Sequence, residues 1–128
     1  MLQKLMHTFL IVFMTVYFTS FIEITASAEE PKGYMVGLVT VANKDWVAEY
    51  RAKNTEILKK YGGRILARGK PSVTLEGTAP DVNTMIVVEF PSMEQAKAWY
   101  EDPDYQKLVR LRQTGSQADF VLIEGMKQ

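Results

Sequence analysis

The chain has no cysteine and a single histidine, His7, so its chemistry falls to carboxylates, phenols and guanidinium groups. Without a thiol there is no thiolate nucleophile, no thiolate metal site and no iron–sulfur cluster. His7 stands in an N-terminal segment expected to be removed, which leaves the remaining domain with no imidazole. A domain of that composition has no Ser-His-Asp triad, no histidine-ligated zinc and no haem on a proximal histidine. No cofactor is expected. What remains is arginine, which binds and orients anions, and glutamate, which serves as a base where burial raises its pKa.

The expectation about His7 rests on the leader. A short polar start carries Lys4, and an uncharged run from Thr8 to Ile22 is rich in Phe, Ile, Val, Leu and Met. Ala26-Ser27-Ala28 then offers the small-x-small pattern of a signal peptidase site, just before Glu29-Glu30. The apolar run is about 15 residues, short of the roughly 20 that span a bilayer. Residues 1–28 therefore read as a secretory signal peptide. Glu23 and the Ala-x-Ala motif favour cleavage, whereas the weakly basic start favours the alternative, an uncleaved membrane anchor. Residues 29–128 read as one domain of about a hundred residues, near the usual domain size, with a core from 34 to 125. The expected destination is the periplasm or the medium, with no membrane contact after cleavage.

Lys4 and Glu23 leave with the leader, one charge of each sign, so the balance of 15 basic and 15 acidic residues stays neutral. That gives no electrostatic case for nucleic acid or an anionic membrane as partner. With no disulfide available, stability outside the cytosol must come from core burial and association.

Tyr34 to Val41 reads as a first strand, with β-branched and aromatic residues throughout. Asn43 is placed to cap a helix carrying Trp46, Val47, Tyr50, Ile57, Leu58 and Tyr61 on one stripe. Lys59-Lys60 and Gly62-Gly63 are its C-terminal charge and stop signals. Arg64 to Arg68 is a second strand, Lys70 to Asn83 a long loop, and Thr84 to Phe90 a third and central strand. Ser92 and Gln95 have capping-box spacing for a second helix, and Asp102-Pro103 ends it and opens a third, to about Gln113. Tyr105, Leu108, Val109 and Arg112 share one face of that helix, and Ala118 to Glu124 is the last strand.

The order β-α-β-β-α-β is the ferredoxin-like arrangement, an α+β fold whose antiparallel sheet carries its helices on one face. The other face of such a sheet should then be polar. Here the central strands are apolar on both faces: Val36 and Leu38 oppose Met35 and Val39, and Val121 and Ile123 oppose Phe120 and Leu122. A bare apolar face is avoided by lone domains, so a second copy packed sheet to sheet is expected, a homodimer.

Tyr61-Gly62-Gly63, Leu75-Glu76-Gly77, Phe90-Pro91-Ser92 and Trp99-Tyr100, followed by Asp104-Tyr105 and Arg112, resemble the domain-of-unknown-function family numbered 1330. The closing Val121-Leu122-Ile123-Glu124-Gly125 fits as well, and the resemblance covers roughly Tyr34 to Gly125. It implies a dimeric α+β barrel. That superfamily also holds antibiotic-biosynthesis monooxygenases, muconolactone isomerases, dye-decolorising peroxidases and chlorite dismutases. Many relatives lack a leader, so the leader is a departure.

Barrels of this kind hold a cavity between sheet and helices, and the motif positions imply Arg68, Glu76, Tyr105 and Arg112 as its polar lining. Tyr50 and Trp99 are implied as aromatic walls. Two arginines, a carboxylate and phenols suit a small anionic or phenolic ligand. In an enzyme, Glu76 is the general base and Tyr105 an acid or hydrogen-bond donor. Each residue also has a structural alternative. Arg112 suits a salt bridge, and Glu76 suits a turn before Gly77 or a pair with Arg68 across the dimer. Trp99, Tyr50 and Tyr61 suit the core. Two functions stay open: a small-molecule binding protein of the cell envelope, or a cofactor-independent monooxygenase or isomerase.

Overall fold

A computed structural model describes residues 28–127, so the expected leader, Ala28 apart, lies outside the described residues. Four antiparallel strands form one sheet: β1 (Gly33–Val41), β2 (Arg64–Gly69), β3 (Thr84–Phe90) and β4 (Ser116–Glu124), in the order β2-β3-β1-β4. The helices are α1 (Val47–Lys60), α2 (Met93–Glu101) and α3 (Pro103–Gln113). This is the ferredoxin-like α+β arrangement read from the sequence. The last strand begins two residues earlier than expected, at Ser116, and the second extends to Gly69.

Alternation along β1 explains the layering. Met35 and Val39 are buried under the helices, while Val36 and Leu38, pointing the other way, are half-buried. Val88 and Phe90 join Met35 from β3, and Leu58, Ala96, Trp99, Tyr105, Leu108 and Val109 close the core from the helices. Trp99 is the centre of this core. Its ring lies 4.1 Å from Tyr105 and 5.3 Å from Phe90, and its Nε1 donates to Asn54 Oδ1 at 3.1 Å. Asn54 is thus a buried polar residue on the α1 stripe, retained because it satisfies the indole.

The start of α1 departs from the expected cap. The residue at that position is Trp46, with no side-chain cap, and Asn43 Oδ1 instead accepts from Asp45 N one turn earlier. Asn43 and Ala42 are held there by the Gly115 carbonyl, which accepts from both amides. A side chain at Gly115 would meet Asn43 Oδ1 at 2.5 Å and Trp46 Cδ1 at 2.7 Å, so the close approach needs glycine. At the other end Gly62, with φ +68°, stops α1 as its type requires.

The helices are joined at Asp102. Its carboxylate caps α3 by accepting from Asp104 N and Tyr105 N, and also accepts from Lys60 Nζ at 2.8 Å and Tyr61 Oη at 2.7 Å. Lys60 first, and then Tyr61, hold this carboxyl well below the usual carboxylate range. The Lys60 side chain is 64 % exposed, so most of the stabilisation comes from the cap and the half-buried Tyr61 phenol. Asp102→Ala is expected to lose about 2 kcal/mol in urea unfolding at neutral pH. A carboxyl with a depressed native pKa stabilises the fold above its unfolded value and ceases to as pH falls through the native one. The difference between the two proteins should therefore hold down to about pH 4 and shrink only below it.

Candidate functional site

The apolar floor of the site is laid by β1, β3 and β4, which place Val39, Ile86 and Phe120 beneath the first turns of α1. Over this floor opens a cleft of about 90 Å³, walled by Trp46 and Tyr50 and carrying the guanidinium groups of Arg51, Arg68 and Arg112. No carboxylate lines it, and among the described residues none of the three arginines forms an ion pair.

Each arginine arrives for a local reason. Arg112 follows Tyr105, Leu108 and Val109 on the buried face of α3, and the residue is only 5 % exposed. Its guanidinium carbon lies 4.7 Å from the Phe120 ring centroid, and its Nε has no hydrogen-bond partner. Arg68 is turned inward by a bulge in β2. Ile65 pairs with Val88, but after the irregularity Ala67 pairs with Val87 and Arg68 with Ile86, a floor residue. An unbroken register would set Arg68 opposite Met85, on the far face of the sheet. Arg51 sits one turn beyond Val47 on α1, on the same side of the helix.

The two phenols share a hydrogen bond in which one donates and the other accepts. Tyr50 Oη lies 3.0 Å from Tyr105 Oη, and Tyr105 is fully buried beneath it. Burial raises the pKa of Tyr50, outweighing its bond to Tyr105 and the pull of Arg112 and Arg68. Burial raises Tyr105 far further, with Tyr50 adding to the effect. Both stay protonated at any physiological pH. Arg68 is moved the other way, downward, by burial and by the like charge of Arg51. The cleft is therefore a concentration of positive charge, with the Tyr50 hydroxyl beside it, over an apolar floor.

Of the residues expected to form a site, the structure brings together Tyr50, Arg68 and Arg112 and sets Tyr105 behind Tyr50. Trp99 is placed in the core, 1 % exposed, and is a packing residue with no face on the cleft. Glu76 is placed apart as well. It lies exposed on the 70–83 loop beside Gly77 and does not line the cleft. Arg51 and Trp46 belong to the site without having been singled out for it. Arg51 had one usable signal, its spacing of four from Val47 on the helix stripe.

The fold has relatives. Residues 32–126 match the family model for DUF1330, described as a domain of unknown function. No curated protein matches the chain. Among solved structures the chain is similar to a protein of unknown function from Rhodopseudomonas palustris, with 21% identity and a TM-score of 0.60 over 80% of this chain and 88% of that one. It is also similar to SnoaB, a cofactor-independent oxygenase from Streptomyces nogalater, with 11% identity and a TM-score of 0.52 over 77% and 96%. A third is a dabb family protein with a ferredoxin-like fold from Mesorhizobium loti, with 14% identity and a TM-score of 0.52 over 77% and 99%. At these identities the likeness is one of fold.

Proposed function

The chain belongs to DUF1330, a family of domains of unknown function, and for this member we propose that the cleft binds a small organic anion, a carboxylate or phenolate. The observation that carries the reading is Arg112, a buried guanidinium with an unpartnered Nε in a cleft that offers it no carboxylate. Burying such a charge is costly unless something negative shares the site. The three arginines supply only donors and no carboxylate answers their charge, so the missing partner is an acceptor with negative charge.

The same inventory weighs against proton abstraction within one protomer. A general base must reach its proton within hydrogen-bonding distance, and the cleft holds no carboxylate for that role. Binding is therefore preferred over an isomerase or monooxygenase using Glu76. The reading also includes a homodimer through the open sheet face, where Val36 and Leu38 meet Met85, Val87 and Val121 with no helix over them. Export through the leader completes it, with the periplasm or medium as destination.

Trp46 lines the cleft and reports on it. Titration with benzoate or 4-hydroxybenzoate should change its fluorescence saturably, and Arg68→Gln should weaken the binding about tenfold or more, the loss of one charged hydrogen-bond partner. Glu76→Gln should leave the affinity unchanged. Failure of every carboxylate to bind at millimolar concentration, or an Arg68→Gln protein that binds as well as the native one, overturns the reading.

A further inference from the structure

We infer that the ligand of this cleft is a dicarboxylate, with one carboxylate at Arg112 and Arg68 and the second held at the rim by Lys44 and Lys70. The inference rests on the anion-binding reading above and names the ligand class. The inner cleft, about 90 Å³, is far below the roughly 300–1,000 Å³ that encloses a whole drug-sized molecule. It accepts one small group, and the rest of the ligand must lie outside.

Outside it is a basin of about 590 Å³ that shares Arg51, Arg68 and Thr84 with the inner cleft and is bordered by Lys44 and Lys70. No acidic residue lines the basin either. Elsewhere among the described residues Lys53 pairs with Glu49, Lys59 with Glu56, Arg64 with Glu89 and Lys107 with Asp104, and the cations left without a carboxylate there, Lys97, Arg110 and Lys127, line neither the cleft nor the basin. Among the described residues Lys44, Arg51, Arg68 and Lys70 pair with no carboxylate. On a chain whose formal charge is zero, five uncompensated cations on one path from floor to rim are a local excess. Arg51 and Arg68 stand close enough to repel each other, which a bound anion relieves. One carboxylate answers the inner arginines, and the rim lysines call for a second.

The apolar stretch between them, where Val41 and Val47 belong to both spaces, suits a hydrocarbon or aromatic body joining the two charges. The probe pair is terephthalate and its monomethyl ester, which differ by one charge at nearly equal size. The native protein should bind the diacid at least about tenfold more tightly than the ester, an advantage that shrinks as salt rises. Lys44→Gln combined with Lys70→Gln should bring the diacid down to the ester's affinity and leave the ester unchanged. Both lysines are exposed, so this double variant leaves the packed core untouched. Equal affinity of the two compounds for the native protein, or a ratio that survives the double substitution, overturns the dicarboxylate inference while anion binding stands. Absence of binding by both compounds and by benzoate overturns the two together.

Discussion

Arg112→Met is expected to make the protein harder to unfold and, in the same stroke, unable to bind its anion. The arginine costs stability in the unliganded protein because its charge is 5 % exposed, unpaired and held against Phe120 with Nε unsatisfied. Replacing a buried ion pair by apolar residues of similar volume stabilises proteins by about 1–4 kcal/mol in favourable cases, and a lone buried charge has no pairing energy to lose. Losing the stacking on Phe120 gives back about 0.5–2 kcal/mol. A net gain of about 1–2 kcal/mol should remain, raising the melting temperature by several degrees in a domain of this size. Calorimetry of the unliganded proteins reads the first effect and Trp46 fluorescence the second. Saturating ligand should reverse the order of stability, since only the native protein gains from binding. A drop in melting temperature with binding intact would make Arg112 a structural residue and sink the assignment.

Val36→Asp is expected to turn the proposed homodimer into a monomer that keeps its fold. Val36 stands in the middle strand, opposite Val87 on one side and Val121 on the other, on the face that no helix covers. Val121 and Ile123 on that face are 54 % and 53 % exposed, so the surface is apolar yet open to solvent. A two-fold dimer places each residue in the interface twice. Two valines, each worth about 1.5–3 kcal/mol on burial, give about 3–6 kcal/mol before the cost of burying two carboxylates. The dissociation constant should rise at least a hundredfold, seen by sedimentation across micromolar concentrations, with circular dichroism unchanged. Val121→Asp, on the outermost strand, should act in the same direction. Native protein that sediments as a monomer throughout, or a Val36→Asp dimer of undiminished strength, overturns the dimer.

The elements were legible because local chemistry and tertiary packing agree. Ser92 accepts from Gln95 N as its spacing suggests, Asp102 caps the helix that Pro103 begins, and Gly62 takes the left-handed turn. The α3 stripe was legible too, down to Arg112 on its buried face. What could not be read was the outcome of non-local contacts. Asn43 has the chemistry of a cap, but the Gly115 carbonyl, far along the chain, draws its backbone into a turn of its own. Arg68 faces inward only because one residue of β2 goes unpaired against β3, and nothing in Arg-Ile-Leu-Ala-Arg marks it. Trp99 suits the core better than a cavity wall on its sequence neighbours, and Asn54 gives its indole a buried partner there. Glu76 carries a motif's weight in the sequence, yet position in a motif does not place a loop residue in space.

The pairing of the first strand with the last has a kinetic consequence. β1 lies between β3 and β4, and its partners in β4 run from Ser116 to Glu124, nearly the whole domain away along the chain. Contacts that span so much sequence are won late, because the loop they close costs entropy before pairing returns anything. The centre of the sheet cannot be completed until the final strand is present, and until then β1 keeps one edge bare. If the proposed leader exports the chain unfolded, this delay favours a transportable state until the last strand has been made.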